Sequence, residues 1–368
     1  MIKQLLLKFK SKTSLLLSQF LDSKVWEIQE ENDKIEVLHF SSHKDQILNF
    51  YSEDFLKKLF FEAPAKHKFI LHIYSSYVYK LENTILEPSQ GWIILSKYFV
   101  FKFSFPLVED PWRPKPILPS YIKFALGLGK SSHIDEAISL RYGWENYYHF
   151  FIDVLGQISI LESKGVPSHI PILVPYYFGS IPFVQEFLKL SSFIKRKLIV
   201  QKKNEYYHVK KLIVSKDSFI SEGVKDVVHS VDHLRELDRN DKIFIYRPKV
   251  HGRAIINNDE IIQIAESHGF IPVDPSSLTL KDQIVLFSGA SHIIGIHGAG
   301  LTNIIFRCGL SLSLFEIFPD ESLTPEHYRN LSNYLSFNYK SIIGEKSDEK
   351  YNFYLDPSIF KNNLKQFC

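Results

Sequence analysis

The stretch Ser291-His-Ile-Ile-Gly-Ile-His297-Gly298-Ala299-Gly300-Leu-Thr-Asn303-Ile-Ile-Phe306 admits few local structures. Ile293, Ile294 and Ile296 are β-branched and apolar, which predicts a strand buried on both faces. His297-Gly-Ala-Gly300 then carries too little side chain to continue a strand, so the backbone turns tightly and its peptide groups stay approachable. Leu301 to Phe306 resumes an apolar helical run, with Gly309 as its stop. A strand feeding a helix through small residues aims backbone N–H groups and the positive helix end at one spot, which favours a phosphate. An ordinary tight turn has the same composition, so the flanking sequence has to decide between the two.

That flank alternates regularly. Ile243–Tyr246 and Phe270–Val273 are strands separated by a helix opening at Asn258-Asp-Glu260. Thr279-Leu-Lys-Asp282 approximates a capping box and starts a second helix reaching Ala290. After the opening stretch, Leu312–Ile317 is the next strand. The βαβαβαβ order implies a parallel sheet with ligands outside the carboxyl ends of its strands. Those ends carry Arg247, Arg253, Asn257, His297, Gly298, Ala299, Gly300 and Glu316. Arg247 and Arg253 suit a diphosphate, Glu316 can accept from ribose hydroxyls, and His297 can donate to a phosphate or a leaving group.

A second informative segment is Arg141-Tyr-Gly-Trp-Glu145-Asn146-Tyr-Tyr-His149-Phe-Phe-Ile-Asp153-Val-Leu-Gly156-Gln-Ile-Ser-Ile-Leu161. Asn146 is a helix cap. Phe151, Val154, Leu155 and Ile158 form one helical face, with His149, Asp153 and Gly156 together on the opposite one. His149 oriented by Asp153 is either a general base or a structural pair.

The rest is organised around these two segments. Residues 1–24 are a basic, roughly amphipathic stretch without a run long enough to span a bilayer, and no signal-peptide pattern is present. It either lies on an anionic membrane surface or packs on its own domain. Residues 34–105 read as a β-rich, mostly antiparallel lobe, followed by a proline-rich connector with Pro106, Pro111, Pro114, Pro116 and Pro119. Gly127-Leu-Gly129-Lys130-Ser131 lacks P-loop spacing and reads as a loop. Residues 120–238 alternate strands and helices, and Asp238-Arg-Asn-Asp241 marks a domain boundary. The expected domains are therefore 1–238 and 239–345, with 346–368 packing back on the first.

Of 368 residues, 45% are hydrophobic and 23% charged, and the net charge of +3 is too small to imply nucleic acid. Two cysteines, Cys308 and Cys368, make no disulfide framework and point to a reducing compartment. There is no Asp-x-Asp, HExxH or zinc-ligand spacing, so no metal is expected; without a Gly-x-Ser-x-Gly turn, an esterase is disfavoured.

Taken in order, Tyr147-Tyr-His149-Phe-Phe-Ile-Asp153-Val-Leu155, Arg247, Arg253, Asn257, Gln283, Gly295-Ile-His297-Gly-Ala-Gly-Leu-Thr-Asn303-Ile-Ile-Phe306 and Phe315-Glu316-Ile-Phe-Pro319 resemble glycosyltransferase family 61 over roughly residues 140–320. The resemblance implies an α/β GT-B fold: two Rossmann-like domains facing a cleft, here with an N-terminal β-rich extension. It implies a nucleoside-diphosphate sugar donor, UDP-linked or similar, held by the C-terminal domain, and inverting, metal-independent transfer to a glycan or glycolipid acceptor. Relatives include bacterial polysaccharide enzymes, so a cytoplasmic capsular or cell-surface polysaccharide enzyme is expected, with residues 1–24 as a candidate inner-membrane contact. The expected catalytic pair is His149 and Asp153, with Glu145 in reserve. Arg247, Arg253, Asn257, His297, Gly298, Ala299, Gly300 and Asn303 are expected on the donor, and Glu316 on its ribose. The competing readings are a nucleotide-sugar epimerase or hydrolase, and a non-catalytic nucleotide-binding component of a polysaccharide assembly.

Overall fold

The structure, a computed structural model, describes residues 25–26, 35–42, 75–88, 91, 93–94, 100–101, 126–140, 143–216, 223–248, 252–346 and 348–367. The basic stretch 1–24, the proline-rich connector and Cys368 lie outside them. The chain forms two compact units, and the division is interleaved rather than a single cut near 238. One unit takes Met1–Trp144, Gly156–Ser180 and Lys195–Phe219; the other takes Glu145–Leu155, Ile181–Ile194 and Ile220–Cys368.

The first unit is built on a nine-stranded mixed sheet. Its strands are β1 (Val25–Trp26), β2 (Ile35–Ser42), β3 (Ser75–Leu86), β4 (Ile93–Ile94), β5 (Val100–Phe101), β6 (Lys130–Ser139), β7 (Ile172–Val174), β8 (Leu198–Val200) and β9 (Glu205–Lys216). They run β1-β5-β4-β3-β9-β6-β7-β8, with β2 also paired to β3. Strand β9 is the pivot: antiparallel to β3 and parallel to β6. The β-rich part and the α/β part are thus one continuous sheet, not two lobes. The expected loop at Gly127–Ser131 ends early, because Lys130 already opens β6. That strand is polar at its start, and only toward its end do Ala137 and Ile138 become fully buried. Tyr79, Leu86, Leu173 and Leu212 pack in the unit's core.

The second unit holds five parallel strands: β10 (Asp241–Ile245), β11 (Ile271–Val273), β12 (Ala290–Ile296), β13 (Ser313–Phe318) and β14 (Asn338–Ile343). Their order is β11-β10-β12-β13-β14. Ile293, Ile294 and Ile296 of β12 are buried, as their β-branched run requires. The helices are α1 (147–163, shared between the units), α2 (Pro182–Leu190), α3 (Gly223–His229), α4 (Asn258–Glu266), α5 (Leu280–Ser288), α6 (His327–Tyr334) and α7 (Pro357–Phe367). Thr279 caps α5 by accepting from Asp282 N at 3.1 Å.

Phe244, Ile294 and Phe315 point to one sheet face, covered by Ile261 and Ala265 of α4 and by Phe360 and Leu364 of α7. The C-terminal segment therefore packs on the sheet of its own unit, which corrects the expected return to the N-terminal domain. A parallel sheet needs apolar cover on both faces, and Phe360 and Leu364, one helical turn apart, supply part of it. Burying each contributes about 1.5–3 kcal/mol.

Candidate functional site

The helix α1 begins where Asn146 Oδ1 accepts from His149 N at 3.2 Å, as the sequence predicts for a cap. Residues Phe150–Val154 then wind as a π-helix, in which Leu155 N–H reaches back to Phe150 O. Such turns are rare and concentrate at functional sites. The segment is bolted down by Tyr147 OH, which donates to Asn303 Oδ1 at 2.7 Å, and by Phe151, edge-on to Phe306 at 5.7 Å. Between these anchors His149 Nδ1 lies 2.6 Å from Asp153 Oδ2. A carboxylate only accepts, so Nδ1 carries a proton. Both side chains are about one-third exposed (32% and 34%), which leaves them reachable.

The strand order, in chain terms 2-1-3-4-5, reverses between β10 and β12, and a crevice outside the carboxyl ends of those two strands is where such sheets bind ligands. Arg247 follows β10, and His297-Gly298 follows β12. A Cβ on Gly298 would run into the Arg247 guanidinium, and Arg253 Nη1 lies 3.9 Å from the same point. Arg253 also donates to His297 O at 3.1 Å. Two guanidinium groups thus converge on the glycine turn, and among the described residues neither has a carboxylate within ion-pairing distance. Arg247 Nε is buried without a hydrogen-bond partner. Burial, then the neighbouring Arg253, pulls Arg247 down to about 10, and burial lowers Arg253 as well. Arg307 of the same unit shows the alternative: its guanidinium is wrapped by the carbonyls of Leu237, Arg239, Ser288 and Ser311. Among the described residues Arg247 and Arg253 have no such wrapping beyond the one bond to His297 O, and two guanidinium groups so placed suit an anion.

Ala299–Arg307 is a 3₁₀ helix, tighter than the α-helix expected there. Every residue from Leu301 to Arg307 is buried, and Asn303 Nδ2 bonds both Gln283 Oε1 at 2.9 Å and Gly300 O at 3.0 Å. Packing sets the winding. Gly295 permits it from the strand side, since a Cβ there would sit 2.7 Å from Leu301 Cδ2. Gly309, at φ 89°, ends the run as predicted. The turn is clamped by Tyr328 OH, which donates to Gly298 O at 2.8 Å.

His297 Nδ1 lies 2.6 Å from Glu316 Oε1, and Tyr339 OH donates to Glu316 Oε2 at 2.7 Å. Glu316 is fully buried, and Tyr339 is raised by burial and by that carboxylate. A second His–carboxylate pair therefore stands at the glycine turn. His327, at the head of α6, connects the two pairs. Its ring is nearly parallel to His297 at 6.2 Å and lies 5.2 Å from Tyr148. Burial, then the charges of His297 and His149, lowers it to about 4, with Asp153 opposing.

The structure thus brings together His149, Asp153, Arg247, Arg253, His297, Gly298 and the head of the 3₁₀ helix at Ala299 and Gly300. Three expected donor contacts take other positions. Asn257 bonds Leu355 in both directions, Nδ2 to O at 2.9 Å and Oδ1 from N at 3.2 Å, and so fastens the segment after Arg253. Asn303 is buried as a strut between Tyr147 and Gln283. Glu316 lies behind His297, where a ribose has no access. His327 and Tyr328 were missed by sequence reasoning; the only available signal was a His-Tyr pair opening a helix after the fourth strand. Among the described residues, no group of three or more His, Cys, Asp or Glu side chains is arranged to hold a metal ion, and no helix is long and apolar enough to cross a membrane.

A His–Asp pair therefore stands with two converging guanidinium groups on a parallel α/β sheet. Residues 147–310 match the family model of glycosyltransferase 61. No curated protein matches the chain significantly.

Proposed function

We propose that this protein is an inverting glycosyltransferase that moves a sugar from a nucleoside-diphosphate donor to a hydroxyl of a glycan or glycolipid, in capsular or other cell-surface polysaccharide synthesis at the cytoplasmic side of a membrane. The observation that carries the reading is the pair of half-buried arginines meeting at Gly298 without a carboxylate partner among the described residues. In this reading the two units stand as the halves of a GT-B enzyme.

The reaction is a single in-line displacement. His149 Nε2 takes the proton of the acceptor hydroxyl, with Asp153 holding the tautomer and stabilising the imidazolium. The acceptor oxygen attacks the anomeric carbon, and the bond from that carbon to the diphosphate oxygen breaks. Arg247, Arg253, His297 and the head of the 3₁₀ helix meet the charge of the departing nucleoside diphosphate. Two guanidinium groups in place of a divalent cation lead to the expectation of full activity in EDTA.

The test is a thermal-shift screen of nucleoside diphosphates and nucleotide sugars, followed by turnover with glycan acceptors. A ligand bound only by the folded state raises the melting temperature by mass action. Nucleoside diphosphate released without acceptor product would mark a hydrolase, and binding without turnover across the donor panel a non-catalytic component; either result rejects the transferase reading.

A further inference from the structure

We propose that His327 is a donor-recognition residue, hydrogen-bonding a hydroxyl of the transferred sugar between the His149–Asp153 pair and the Arg247–Gly298–Arg253 cradle. This rests on the transferase reading of the same site and adds a residue beyond the segment that matches the family.

The argument is one of position and then of charge. In an in-line displacement the base and the leaving group lie on opposite sides of the reacting carbon, so the sugar occupies the space between them. His327 borders that space from both ends. Its ring faces His297 at 6.2 Å on the diphosphate side and Tyr148, the residue before His149, at 5.2 Å on the base side. It also feels the charges of His149, His297 and Asp153. Tyr328, the next residue, holds Gly298 O at 2.8 Å, so the start of α6 is tied to the turn and His327 is carried on a braced element.

The imidazole is kept neutral by burial and by the neighbouring histidines. A neutral imidazole nitrogen can share one hydrogen bond with a sugar hydroxyl, which either gives or takes it. A cation at this position would oppose the positive charge that builds on the sugar ring as the diphosphate leaves; a neutral ring does not. Lysine or arginine would supply the hydrogen bond at that electrostatic cost.

The experiment uses the full chain, wild type and His327→Ala, His327→Asn and His327→Gln, with the accepted donor and its monodeoxy analogues. For His327→Ala, kcat/KM is expected to fall about tenfold or more, the scale of losing a hydrogen bond in a closed site. The Kd for the free nucleoside diphosphate should stay within about twofold, since the diphosphate cradle is untouched, and the Asn or Gln variant should recover part of the loss. One deoxy position should cost wild type as much as the substitution does and cost the Ala variant nothing further, the signature of a broken pairwise contact. Losses that simply multiply at every deoxy position would overturn the proposal, as would an unchanged kcat/KM. Variants that all lose nucleoside-diphosphate binding together with turnover would assign His327 a structural role and overturn it too. Should wild type itself bind no nucleoside diphosphate, the transferase reading fails first and this inference falls with it.

Discussion

Glu316 lies directly beside Gly295 in the β12–β13 register, and its carboxylate reaches 2.6 Å to His297 Nδ1, one strand over. Parallel pairing puts a fully buried acid behind the imidazole at the glycine turn, where it fixes the ring's tautomer and orientation. Glu316→Ala would orphan both His297 Nδ1 and Tyr339 OH, and is expected to cost about 2–5 kcal/mol of unfolding free energy, with Glu316→Gln milder because its carbonyl still accepts from His297. Urea denaturation measures both. A ribose role makes a different forecast: Glu316→Gln would then weaken nucleoside diphosphate but not inorganic diphosphate. The ratio of the two affinities is expected to stay at its wild-type value.

Arg247 and Arg253 repel each other and are partly desolvated, so their convergence opposes folding. Arg247→Ala is therefore expected to leave the melting temperature of the ligand-free protein unchanged or raised. The same variant should lose most of the shift that nucleoside diphosphate gives to wild type. A fall in ligand-free stability together with a retained ligand shift would remove Arg247 from the donor site. Turnover should also survive chelation of divalent cations; loss of activity in EDTA, restored by a divalent cation, would replace the arginine account of the leaving group.

His149→Ala is expected to lower kcat about 10²–10⁴-fold, the usual contribution of a positioned general base. Asp153→Asn should lower it less, because the imidazole remains while its tautomer is no longer held. Neither side chain is deeply buried, so melting temperatures should move little. Near-normal turnover in His149→Ala would transfer the role of base to another residue.

What could be read from the chain alone follows the range of the interactions. The buried strand at Ile293–Ile296, the Gly309 stop and the Asn146 and Thr279 caps are set by neighbours within a few positions, and all are observed. Strand β6 escaped notice because its order comes from β9, far along the chain, and not from an apolar run of its own. Asn257 was assigned to ligand because its partner, Leu355, lies 98 positions away. Helix α7 carries an apolar stripe, but a stripe does not name the sheet it will cover. Glu316 falls inside β13, two residues before its end at Phe318, and not at the strand end expected; its depth depends on the register with Gly295, which no local pattern encodes. His327 joins the site only because α6 returns its first turn to the glycine loop.

His327 also makes stability depend on pH in a definite direction. Its folded pKa of about 4 lies below the ordinary histidine value of 6.5. Between those values the unfolded chain binds a proton that the native protein refuses, so stability is lost as pH falls through that window. At pH 4 and below the difference is on the order of 3 kcal/mol. Among the described residues, the charges of His297 and His149 disfavour protonation of this ring and that of Asp153 favours it. Burial lowers His208 and His292 as well, so wild type carries contributions from all three. The difference between wild type and His327→Gln isolates the one that matters here. Urea midpoints measured from pH 7 to pH 4.5 should fall more steeply for wild type than for the variant. Equal slopes would mean that His327 protonates as easily in the folded protein as in the unfolded chain, and would remove the neutral ring from the donor site.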